Sequence, residues 1–70
     1  MKNINRTHYH ELNLLLWDMH NKFVAPKTAF ELYEKRWAYV DKNKLTDNEK
    51  ELINLLIKEF GNGYFMPAVH

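Results

Sequence analysis

Three stretches of this chain return an apolar side chain every three or four positions, and each is bounded by residues that start or stop a helix. That spacing puts the apolar residues of each stretch on one side of an α-helix, a face that is stable only against another face of the same kind. The chain therefore reads as all-α: a small three-helix bundle in one domain, with helices over about 7–23, 28–41 and 47–60. An apolar C-terminal extension, 61–70, follows.

The first helix takes Thr7 as its cap, with Ile4 and Asn5 leading in. Tyr9, Leu12, Leu15, Leu16, Met19 and Phe23 then form one broad stripe directed at a core, while Leu14 and Trp17 project on the far side with His10 and Asn21. In the second helix, Thr28 and Glu31 have the spacing of a capping box, although Pro26 is equally suited to be the first helical residue. Its core side is Ala29, Phe30, Tyr33, Trp37 and Val40, and Leu32, Arg36 and Tyr39 make a ridge beside it. Thr46 and Glu49 form a second capping box, with Asp47 at the positive end of the helix dipole. Leu52, Ile53, Leu56, Ile57 and Phe60 follow, and Gly61 stands where a left-handed C-cap ends a helix. Leu55 widens this third stripe enough to touch two neighbours, or one neighbour and a second chain. Tyr64 and Phe65 open a greasy tail, which either folds back over Leu14 and Trp17 or is itself a binding site.

At 70 residues the chain hides a smaller share of its surface than a larger domain would, and without cysteine it has neither a disulfide nor a thiolate zinc site to staple it. Packing, or a second subunit, has to supply the stability. The apolar fraction of 46% is too high for a disordered chain, and a formal charge of +1 gives little electrostatic steering. Lys2 and Arg6 precede the run Leu12–Trp17, but Glu11 and Asp18 bracket it too closely for a secretory signal, and no stretch is long enough to span a bilayer. The expectation is a cytoplasmic protein with no membrane contact.

Catalytic chemistry is poorly supplied. Serine and cysteine are absent, Thr28 and Thr46 are occupied as caps, and the pairs Glu31/Glu34 and Glu49/Glu51 read as solvated charge on polar faces. Gly61 and Gly63 follow a helix, whereas a phosphate-binding loop opens one. His8, His10 and Glu11, with His20, invite a metal, but residues two apart on a helix diverge where zinc-binding histidines sit three or four apart. The expectation is a non-enzyme with no cofactor and no metal.

Lys35, Arg36, Lys42 and Lys44 cluster at the junction of the second and third helices, as in a helix-turn-helix. The leading turns of the third helix would then face phosphates with Asp47, Glu49 and Glu51, and Glu31, Glu34 and Asp41 interleave the basic residues. Direct reading of nucleic acid is accordingly disfavoured. The stretch Lys42 to Ile53, KNKLTDNEKELI, resembles the middle of the small Hha-type regulators, helical proteins that modify repression by contact with a nucleoid protein. The resemblance covers that stretch alone. The following helix lacks the alanine-rich segment with Asp-His of those regulators, so no residue role is carried over.

What stays unassigned is apolar surface beyond the needs of a core: Leu14 with Trp17 on the first helix, Leu32 and Tyr39 flanking Arg36 on the second, and Tyr64 and Phe65 in the tail. Large aromatics and arginine dominate protein interfaces. The sequence thus points to a small bacterial or phage accessory protein that works by protein–protein interaction, as a possible homodimer. The alternative is a DNA-associated transcriptional regulator or nucleoid-protein modulator.

Overall fold

The computed structural model describes residues 2–65. Three α-helices, α1 (His10–Leu15), α2 (Pro26–Lys35) and α3 (Asp47–Phe60), together with 3₁₀ turns at Arg6–His8, Trp37–Tyr39 and Lys42–Lys44, account for most of the described chain. Helix α2 packs against both α1 and α3. A short antiparallel ribbon also forms, β1 (Ile4–Asn5) against β2 (Phe23–Val24), with Ile4 opposite Val24 and Asn5 opposite Phe23. The molecule is therefore mostly helical with a small sheet, where the sequence suggested helices alone. No helix among the described residues is long and apolar enough to cross a membrane.

The largest correction concerns the first helix. The stripe from Tyr9 to Phe23 predicts a helix over 7–23, but the helix occupies only His10–Leu15. Thr7 lies in a 3₁₀ turn capped by Asn5, whose Oδ1 accepts the Thr7 N–H at 3.0 Å. At the other end the strand pairing holds Phe23 extended, which places its ring in solvent and out of the core. The second helix starts two residues early and ends six early. Pro26 fills its first turn, so Thr28 sits inside the helix and does not cap it. At Arg36 the backbone leaves helical geometry and enters the Trp37–Tyr39 turn.

Helix α1 is too short to be stable alone, and side chains from elsewhere hold both its ends. Tyr9 precedes it and offers no side-chain cap. Glu49, from α3, takes that place. Its Oε1 accepts the Glu11 N–H at 3.1 Å, and its Oε2 accepts the Leu12 N–H at 2.9 Å and the Tyr33 hydroxyl at 2.6 Å. Two orphan donors and the positive end of the helix are satisfied by one carboxylate. Glu49 is 0% exposed, so its reading as solvated charge is overturned. Thr46 Oγ1 does accept the Glu49 N–H at 3.2 Å, but the returning half of the capping box is replaced by this long-range contact.

Glu11 is buried beside it at 2% exposure. Its Oε1 accepts the Asp41 N–H at 2.7 Å, tying down the chain after α2, and its Oε2 lies 3.4 Å from His10 Nδ1. At the C-terminal end of α1, the Arg6 guanidinium donates to the carbonyls of Asn13 at 3.0 Å, Leu16 at 2.8 Å and Met19 at 2.6 Å. A cation at that end also complements the helix dipole. Around these clamps Leu12, Leu16, Ala29, Tyr33 and Leu56 form the most deeply buried part of the core.

The chain leaves α3 differently from the sequence expectation too. Gly61 keeps a negative φ of −104°, and the left-handed positions are Asn62 (φ 51°) and Gly63 (φ 85°). Gly61 is required for another reason: a Cβ there would collide with the Tyr64 carbonyl oxygen and crowd the Phe30 ring. This turn carries Phe65 against Phe30 and Trp37, with ring centroids 6.2 and 5.0 Å apart.

Replacing Glu49 by Ala leaves α1 uncapped and Tyr33 unpaired, and should cost about 3 kcal/mol. A domain of this size has only about 4–10 kcal/mol in total. Replacing Thr46 by Ala removes a local cap and should cost about 1 kcal/mol. Urea denaturation gives both values; equal losses would mean that Glu49 acts only within α3.

Burial, and then the hydrogen bond to Glu49 and its charge, push the Tyr33 phenol far above the ordinary 10.0. Because the raised value belongs to the folded state, its stabilising contribution is complete below about pH 10 and falls as pH rises beyond that. Alkaline titration monitored by tyrosine absorbance should show Tyr33 ionising only with unfolding.

Candidate functional site

Four of the residues singled out in the sequence come together on one face. Leu14 points outward from α1, Trp17 follows in the turn that ends it, and Arg36 and Tyr39 come from the chain after α2. With Leu15 they line a groove of about 580 Å³. Leu14 is 57% exposed, Trp17 76% and Tyr39 82%, values far above those of the core.

Arg36 joins the two halves. Its Nη1 donates to the Leu15 carbonyl at 2.7 Å, and its two Nη atoms hold the Asp18 carboxylate in a fork at 3.0 and 3.1 Å. The guanidinium also lies 5.9 Å from the centre of the Trp17 ring, within cation–π range. The side chain thus closes the C-terminal end of α1, as Arg6 does from another direction, and steadies the indole. The hydrogen bond from Arg36 holds the Asp18 carboxyl below its ordinary value, and the same bond raises Arg36. Asp18 is the participant that sequence reasoning missed. Its partner lies 18 positions away, beyond any local spacing rule, and the only local sign is an acidic residue directly after an exposed tryptophan.

The other three candidates lie elsewhere. Leu32 is 8% exposed and belongs to the core, because the helix turns it inward beside Tyr33. Tyr64 is exposed, and Phe65 packs on Phe30 and Trp37. These two tail residues do not cover Leu14 and Trp17. The rest of the expected covering segment, 66–70, lies outside the described residues.

The basic cluster at the helix junction is divided by the fold. Arg36 is engaged by Asp18 and Leu15, and Lys42 Nζ sits 5.7 Å from the centre of the Trp37 ring. Among the described residues no group of three or more His, Cys, Asp or Glu is placed to hold a metal. Phe23 and Leu55 are also exposed, on the side that carries β1 and α3. Set against known proteins, the chain matches no family model, no curated protein and no solved structure.

Because the folded Asp18 value is lowered, the contact with Arg36 contributes at pH values above the ordinary 3.8 and is lost as pH falls through the folded value. Carboxyl-detected NMR titration should find Asp18 below 3.8, and Arg36→Ala should return it to about that value. An unchanged midpoint in the variant would mean that the pair is not formed in solution.

Proposed function

We propose that this chain is a small, non-enzymatic accessory protein that acts by binding protein at the groove between Trp17 and Tyr39. One observation carries the reading: three large apolar side chains stand exposed around an arginine whose own hydrogen bonds are already made inside the molecule. Exposed apolar groups gathered in one patch mark interaction sites more often than scattered ones do. Tryptophan, tyrosine and arginine are also the residues that contribute most at interface centres.

The placement of these groups favours binding further. Arg36 is held by two partners and Trp17 lies against it, so less side-chain freedom remains to be lost on association. A nucleic-acid surface needs cations free to meet phosphate, and the one cation among the described residues of the groove is paired with Asp18. For that reason we favour a protein partner over the DNA-associated alternative.

A photoreactive amino acid at position 39 should crosslink to protein under native conditions, while one at the exposed Lys27, on the first turn of α2, should not. Trp17→Ala should reduce the crosslinking by about 30-fold or more, with the fold retained by circular dichroism, because the indole is mostly in solvent. Crosslinking only to solvent at position 39 would remove the groove as a protein-binding site.

A further inference from the structure

We infer that the groove is occupied by a second copy of this chain, in a two-fold symmetric dimer; this rests on the protein-binding reading and names its partner. Three properties of the face point to a copy of itself.

The first is area. A fully exposed aromatic side chain presents about 150–250 Å², so Trp17 and Tyr39, at 76% and 82% exposure, together offer roughly 300 Å². Leu14 and the stem of Arg36 bring the apolar surface to roughly 400 Å². A stable interface covers about 800 Å² on each partner, a little more than half of it apolar. The patch therefore supplies a part of the apolar share that one side of such a dimer requires.

The second is charge. Among the described residues that line the groove, Arg36 is the only ionised one, and Asp18 neutralises it at 3.0 Å. An acidic or basic partner would meet no free opposite charge. A second copy brings the same internally paired arginine and aspartate, so two such faces meet without repulsion.

The third is shape. The face carries both projections and a recess: Trp17 and Tyr39, both largely exposed, line an opening of about 580 Å³ that has room for an aromatic ring. In a two-fold arrangement the same patch meets itself, so each copy's ring is received by the other's groove. Such a contact would also cover the C-terminal end of α1, the short helix that depends on clamps from outside itself.

Sedimentation equilibrium of the wild-type chain, Tyr39→Glu and Leu14→Glu tests this, together with melting curves over a hundred-fold range of concentration. Both replaced side chains are exposed, so neither substitution disturbs the core, and circular dichroism verifies folding. The expected result is a wild-type species of about 17 kDa, twice the 8.5 kDa chain, with a melting temperature that rises with concentration. Each variant should weaken association by at least about 30-fold in Kd and lose the concentration dependence. A wild-type monomer at every concentration would overturn the dimer while leaving the crosslinking test of the groove intact. A dimer unaffected by either variant, but dissociated by Leu55→Glu, would overturn it in favour of the α3 face.

Discussion

A single buried carboxylate, that of Glu49, caps the short helix in the first third of the chain and ties it to the other two. Six residues of helix cannot persist on propensity, and the residue before α1 gives no cap. Glu49 reaches across from α3 to accept the Glu11 and Leu12 amides, and takes the Tyr33 hydroxyl from α2 as well. One side chain thereby joins all three helices at a point without solvent. Burying a carboxylate is costly unless its lone pairs are met, and here three donors meet them. Glu11 repeats the device on a smaller scale by accepting the Asp41 amide, which fixes the chain leaving the Trp37–Tyr39 turn.

The opposite end of α1 is the complement of this arrangement. Arg6 and Arg36 converge on its last carbonyls from the leading segment and from the end of α2. The short helix therefore has an anionic group at its positive end and cations at its negative end, all supplied from outside. Such a helix can be brief because its end groups are satisfied by tertiary contacts. The consequence for the surface is direct: ending α1 at Leu15 frees Trp17 and Asp18 to turn outward, and Arg36, in closing the helix, is brought against both. The groove is a by-product of how α1 is terminated.

The aromatic contacts of Phe65 with Phe30 and Trp37 extend the core toward the C-terminal side, yet Trp17 and Tyr39 are left in water. A chain of 70 residues with no cysteine has little stability to spare, yet of its ten aromatic side chains (two tryptophans, four tyrosines and four phenylalanines) three, Trp17, Tyr39 and Tyr64, are at least 75% exposed. The proposed association would cover Trp17 and Tyr39.

By itself, the sequence determined the helical character of the chain and the start of α3, because Thr46, Asp47 and the apolar spacing that follows act within a few residues of one another. The exposure of Leu14 was legible too, because it falls out of phase with Leu12 and Leu15 within α1, whereas Trp17 lies beyond the end of that helix and is exposed by the way it is closed. Only the tertiary structure decided where the first helix stops, because the pairing of β1 with β2 and the carbonyls taken by Arg6 involve residues 7 to 20 positions apart. It likewise decided that Glu49 is a buried cap, that Leu32 is core and that Arg36 belongs to Asp18. Local patterns report the forces within a turn or two of chain; a carboxylate, a leucine or a guanidinium takes its meaning from whatever distant segment the fold sets beside it.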